Sequence, residues 1–307
     1  MLKIIPLLLA ALGLVSAAAY AAPELTVTSV GQEIEIENED HNGTDLDDVW
    51  LFNNVGLAYG DWSFGLQAGK QWGINLDDDN GKDKGVKSED SRLQLDVWKK
   101  VTDDLKLGFR YRGHKNYDRF YARWDYNHGM FWSSGDVWYE SVNGEGTDWL
   151  KSEFFPIGVK YGAFKAGYFV NYNKLMGGAD LRDQDEYFEH QIRLYATLYK
   201  GERLTLSTEG RFTISADNEY NGQSRTNVGT AAAPDYKDGY RHYDDFGRNR
   251  VYLAADYKVT ENLNAFVKYG YEFREWKLEE NAGANGYKDD HKANAYQDFV
   301  VGWSYRF

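Results

Sequence analysis

The sequence predicts an all-β fold, a transmembrane antiparallel β-barrel of 14 strands with short periplasmic turns and long extracellular loops, and three observations carry the prediction. Segment after segment of about ten residues alternates apolar with polar side chains, a period of two that no helix can present. Tight turns and long polar connections succeed one another along the chain. The chain ends on an alternating aromatic run, Phe299, Val301, Trp303, Tyr305 and Phe307.

Composition agrees. The 307 residues include 31 Gly, 24 Tyr, 16 Phe and 10 Trp beside 4 Pro and 3 Met. Abundant β-forming aromatics with little Pro favour long strands. The mean hydropathy is −0.66. Beyond Ala22 no stretch approaches the ~20 apolar residues that a spanning helix needs. There is no Cys, which removes disulfides, thiolate metal sites and lipid attachment. A net charge of −13 argues against nucleic acid, whose phosphates demand a basic footprint. Lys3, an apolar run from Ile4 to Ala18, and Ala19-Tyr20-Ala21 predict a cleaved secretory leader over 1–21, leaving one barrel domain over 22–307. Loss of Lys3 with the leader takes the charge to −14.

The strands follow in order. Leu25–Asn38 comes first. Asp47–Tyr59 places Val49, Leu51, Val55, Leu57 and Tyr59 on one face, and Gly60-Asp61 turns the chain. Trp62–Ile74 sets Trp62, Phe64, Leu66, Ala68 and Trp72 against Ser63, Gly65, Gln67, Gly69 and Gln71. Glu89–Val101 turns Leu93, Leu95 and Val97 away from Arg92, Gln94 and Asp96. Leu105–Tyr117 opposes Leu107, Phe109 and Tyr111 to Lys106, Arg110 and Arg112. Arg119–Asn127 and Phe131–Val142 read as a short, irregular pair around His128-Gly129. Glu153–Tyr161, Ala163–Asn173 and Glu186–Lys200 come next. Arg203–Ala216 opposes Leu204, Leu206, Phe212 and Ile214 to Arg203, Glu209 and Arg211. Phe246–Val259, Leu263–Lys277 and Ala293–Phe307 complete fourteen; without the irregular pair twelve remain. The even count puts both termini on one side. Val101-Thr102-Asp103-Asp104-Leu105 is echoed by Val259-Thr260-Glu261-Asn262-Leu263, one favoured turn used twice.

A soluble β-sandwich also alternates. These strands, however, run roughly 10 to 13 residues, enough to cross a bilayer at a tilt, and their apolar faces end in aromatics as interfacial girdles do. The tight connections at 60–61, 102–104, 162, 201–202 and 260–262 alternate with long ones at 76–87, 175–185, 216–245 and 278–294.

The leader, the alternating strands, the Val-Thr-Asp-Asp-Leu turn at 101–105 and the Tyr-Arg-Phe terminus resemble the outer membrane protein G (OmpG) porin family and the similar FomA porins. The resemblance implies a 14-stranded barrel, often monomeric, that passes ions and small hydrophilic solutes such as sugars. The histidine pair that gates a member of that family is not carried over, because the six histidines (41, 114, 128, 190, 242, 291) offer no pair that can be placed face to face. The KdgM family, with 12 strands and an Arg-rich lumen selective for anionic oligosaccharides, is the competing resemblance. Expected partners are outer-membrane lipid and lipopolysaccharide, and barrel-assembly machinery reading the strand that ends in Phe307. No cofactor is expected.

The face opposite the apolar rows points inward, and fourteen strands leave room for water. The expected pore lining is Arg92, Arg110, Arg112, Arg193, Arg203, Arg211, Arg250, Lys268 and Arg274 with Glu35, Asp96, Glu209, Asp256 and Glu272. Opposed charges of this kind order water and tune selectivity. The acidic runs Asp77-Asp78-Asp79, Asp244-Asp245 and Asp289-Asp290 lack a calcium-loop pattern and read as solvated loop tips. Two other classes remain in view. A barrel enzyme would use His242 with Asp244, or Asp289 with His291, as an acid/base pair, but no activated Ser accompanies them. A pore-less adhesin would use the long loops, among which 216–245 reads as a lid.

Overall fold

The alternation is realised strand by strand. The computed structural model of the chain describes residues 23–39, 46–75, 85–144, 148–176, 186–217, 246–278 and 291–307, and the dipeptides Thr226–Asn227, Tyr236–Lys237 and Arg241–His242. The long strands are β1 (Thr26–Glu39), β2 (Leu46–Tyr59), β3 (Trp62–Asn75), β4 (Gly85–Lys100), β5 (Leu105–Gly113), β6 (Tyr117–His128) and β7 (Phe131–Val142). They continue with β8 (Trp149–Tyr161), β9 (Phe164–Leu175), β10 (Glu186–Lys200), β11 (Leu204–Asp217), β12 (Arg248–Lys258), β13 (Leu263–Leu278) and β14 (His291–Arg306). Every neighbour is antiparallel, and β1 pairs with β14 from Ser29↔Arg306 to Glu39↔Tyr296, so the sheet closes without an edge. Closure gives every strand two hydrogen-bonding partners, the condition for placing backbone in lipid.

Fourteen strands it is, and the doubtful pair is regular. β6 and β7 run from Tyr117↔Val142 to His128↔Phe131 without a register shift. Irregularity falls next door, where β8 shifts register between Phe154 and Ile157 around Pro156. Proline lacks the ladder N–H and sits in a sheet interior only at such a bulge. The fifth strand also stops earlier than expected, at Gly113, so that His114, Lys115 and Asn116 form a short connection on the long-loop side.

The two-residue turns all lie at one end. Gly60-Asp61, Gly129-Met130 and Gly162-Ala163 each open on a glycine in the left-handed region, with φ of 55°, 56° and 58°. A side chain there would meet the following carbonyl, which is why glycine holds the position. Two further turns at the same end share one hydrogen-bond set. Thr102 Oγ1 accepts from Leu105 N at 3.0 Å, and Thr260 Oγ1 from Leu263 N at 3.0 Å.

Outward side chains are large and apolar: Leu93, Leu107, Phe109, Leu253, Val267 and Trp303 are all exposed. Trp62, Tyr126, Phe131, Tyr161, Tyr199 and Tyr257 stand where strands meet the tight turns, a girdle at one interface. The leader, the acidic runs at 77–79, 244–245 and 289–290, and nearly all of the 216–245 loop lie outside the described residues.

Candidate functional site: the barrel lumen

Every second residue points inward, and strand register sorts the charges there into clusters. On β4–β7, Asp96 Oδ1 accepts from Arg110 Nε at 2.7 Å and also from Arg123, whose Nε donates to Asp136 Oδ1 at 2.6 Å. Nearer the long loops, Glu140 accepts from Arg119 and from Lys151 Nζ, the latter at 2.9 Å. On β10–β13, Glu272 collects Arg248, Arg250 and Arg274, the first at 3.1 Å. Glu189 accepts from Arg248 Nη1 at 3.1 Å and from Thr213 Oγ1 at 2.7 Å. Arg211 Nε donates to Glu209 at 2.6 Å, and Lys268 lies 3.5 Å from Asp298.

The expected lining residues thus divide. Arg110, Arg211, Arg250, Arg274 and Lys268 are each matched by a carboxylate of the inner wall: Asp96, Glu209, Glu272, Glu272 and Asp298. Glu35 faces the lumen between Glu33 and Glu37 on β1, and Glu37 accepts from the Tyr296 hydroxyl. Asp256 stands near the tight-turn end, where it accepts from Asn264 Nδ2 at 3.3 Å. Arg203 lies exposed in the 201–203 turn before β11, because β11 begins one residue later than the pattern predicts.

Arg92, Arg112 and Arg193 form a separate class. Among the described residues none of the three has a carboxylate within ion-pairing distance, and each is held by neutral groups. Arg92 donates to Gln67 and lies 4.0 Å from the centre of the Phe52 ring. Arg112 Nε donates to Gln94 at 2.7 Å. Arg193 Nε donates to Gln191 at 2.8 Å and stacks on Phe169 at 3.3 Å.

Glu140, Asp136 and Arg248 escaped the list of expected pore residues. All three obey the inward alternation, so the period alone would have found them. His114 carried no such signal. Its Nδ1 lies 2.7 Å from Asp90 Oδ2, its ring stacks on Tyr117 at 4.4 Å, and its Nε2 is buried with no partner among the described residues. Burial, the largest influence, holds the imidazole below its ordinary pKa, and the Asp90 contact opposes that shift. Among the described residues no group of His, Asp and Glu could hold a metal ion.

No protein-family model matches the chain, and no curated protein sequence does. Solved barrels do match in shape. A bacterial polysaccharide outer membrane secretin superposes with a TM-score of 0.50 at 9% identity, covering 91% of this chain and 98% of that one. The TodX monoaromatic hydrocarbon channel gives 0.49 at 8% identity over 93% of this chain and 91% of its own, and an anion-selective porin from Comamonas acidovorans gives 0.42 at 11% over 92% and 100%. At such identities the likeness is one of fold. A closed barrel with an apolar exterior, an aromatic girdle at one end and a charged interior is stable only with lipid outside. The chain is a fourteen-stranded transmembrane β-barrel of the bacterial outer membrane.

Proposed function

We propose that the chain is a porin, a monomeric water-filled channel for passive diffusion of ions and small hydrophilic solutes such as sugars. One observation carries the reading: charged side chains recur along the whole inner wall, among inward aromatic rings, from Glu140 and Lys151 near the long loops through Asp96 and Arg193 to Lys160 and Lys165 beside the tight turns. Fourteen strands spaced about 4.8 Å apart and tilted by about 40° close at a backbone radius of about 14 Å, wider than side chains can fill. A cavity of about 510 Å³, lined by Trp98, Arg123, Asp136, Glu153, Phe169 and Arg193, supports it. With this reading go the finer ones: a cleaved leader over 1–21, an OmpG-like family, lipopolysaccharide around the barrel, assembly through the strand ending in Phe307, and no enzymatic activity.

Single-channel recording in planar bilayers tests the proposal. Long-lived current steps of one size are expected from the folded barrel. A folded, heat-modifiable barrel that gives no steps would overturn the porin reading and favour an adhesin.

A further inference from the structure

We propose that the inner wall of β8–β10 carries a binding subsite for sugar acids, built from Arg193, Lys165 and Lys160. The proposal rests on the channel reading for access to the lumen, and on the wall's own chemistry for its ligand.

The starting observation is a like-charge pair. Lys160 on β8 stands directly opposite Lys165 on β9, and both point inward. Like charges directly opposite on adjacent strands are destabilising. Elsewhere in this lumen Asp96, Glu140 and Glu272 neutralise such crowding. Here, among the described residues, no carboxylate lies within ion-pairing distance of either lysine. Lys160 donates to Asn127 Oδ1 at 3.3 Å, and Lys165 Nζ sits 3.6 Å over the Trp132 ring.

Arg193 continues the same wall. Its cross-strand partner is Gly167, two residues from Lys165, about 7 Å farther along β9. Gln191, Tyr195 and the Phe169 face fix its guanidinium without cancelling its charge. Asp125, Glu153 and Glu209 act on these cations only from beyond ion-pairing distance, and Glu209 is already engaged by Arg211. Three neighbouring cations therefore meet neutral partners, the two lysines exposed and Arg193 held by Gln191 and the Phe169 face. Fixing the guanidinium in this way lowers the entropy that an anion must spend to bind it.

The space beside them has the size and the polar content for a hydroxylated solute. A second cavity of about 470 Å³ takes in Lys160, Lys165, Thr197, Ser207 and Glu209, and the 510 Å³ cavity takes in Arg193 and Glu153. Both fall within the range of small-molecule sites. A carboxylate fits the guanidinium fork and the ammonium pair, while hydroxyls of the same solute can donate to Glu153 and to the Ser and Thr oxygens. Those flanking carboxylates work against a compact, dense anion such as phosphate. A sugar with one carboxylate satisfies both sets of groups.

The test uses the full chain folded in lipid, with glucuronate as probe and glucose and inorganic phosphate as controls. Ion current in planar bilayers and intrinsic Trp fluorescence of the folded barrel are read in parallel. Glucuronate should reduce the current and change the fluorescence saturably with one dissociation constant, and glucose should do neither. Arg193→Gln with Lys165→Gln should weaken both effects about tenfold or more, as loss of charge-assisted contacts does. Arg193→Lys, which keeps the charge and loses the fork, should fall between. Heat-modifiable gel mobility establishes that each variant is folded. Glucuronate acting no better than glucose, phosphate binding as tightly as glucuronate, or the double variant matching the parent would overturn the subsite. Current without a glucuronate effect fails the subsite alone. Saturable fluorescence from a barrel that carries no current fails the channel reading and leaves the subsite standing.

Discussion

Asp90 on β4 binds His114 across the short connection between β5 and β6, with Oδ2 2.7 Å from Nδ1 and Oδ1 accepting from the Lys115 backbone N–H at 2.9 Å. The contact assigns the proton of neutral His114 to Nδ1 and leaves a buried, unpartnered Nε2. A second proton would create a buried donor with nothing to receive it. The folded-state pKa is therefore depressed, whereas the unfolded chain takes its proton near the ordinary value of about 6.5. Because the unfolded state binds the proton first, stability should fall as pH drops below about 6.5 toward the folded value. Ring resonances of His114 followed by NMR should titrate below 6.5, and His114→Gln should flatten the urea-midpoint-versus-pH curve in that window. Titration above 6.5 would mean that Asp90 outweighs burial.

Glu272 accepts from three guanidiniums and is 2% exposed. Glu272→Ala leaves Arg248, Arg250 and Arg274 crowded without their shared counter-charge, and should cost about 3 kcal/mol in urea unfolding. Asp256→Ala, at the exposed tight-turn end, should stay within about 0.5 kcal/mol. Equal effects would show that the Glu272 arginines simply turn into water.

Trp132 lies where a Cβ on Gly158 would sit, 2.0 Å from its Cε2. Gly158→Ala should push the indole from its seat, cost about 1–3 kcal/mol and shift Trp emission. Since Lys165 rests on that ring, the variant should also weaken glucuronate binding.

Arg110 and Arg112 neighbour each other on β5, yet only Arg110 is paired with a carboxylate. In a salt gradient, Arg110→Gln should lower anion over cation permeability more than Arg112→Gln does, because it removes a positive charge and also frees part of the Asp96 charge. The opposite order of reversal potentials would show that pairing does not govern the field.

Thr102 and Thr260 cap equivalent turns, each hydroxyl accepting from a backbone N–H two and three residues on. Each Thr→Ala change should cost about 1 kcal/mol, and the double variant should be additive within about 0.5 kcal/mol, as the two turns share no partner. Chemical unfolding of the three variants checks both numbers.

Part of this was legible in the residues. Arg211 with Glu209, and Arg193 with Gln191, lie two apart on one strand, so the pattern that turns one inward turns the other inward too. The repeated Val-Thr turn was visible as an echo, and its shared hydrogen bonds give the reason. The β6–β7 pair was harder to read because its inward face mixes Tyr121 and Trp138 with Arg119 and Glu140, which blurs an alternation judged by polarity alone. The start of β11 at Leu204 was not legible for a local reason, since alternation cannot say where a turn yields to a strand.

By itself the sequence determined the fold class, the sense of the wall and the side that faces lipid, because a period of two is written into neighbouring residues. Tertiary structure alone decided which cations are neutralised. Arg110 reaches Asp96 across 14 residues of sequence and Arg248 reaches Glu189 across 59, while Arg92, Arg112 and Arg193 meet glutamines and rings instead. Those partners are set by the register between strands, and register follows from hydrogen bonding around the whole closed sheet, which no stretch of the chain contains.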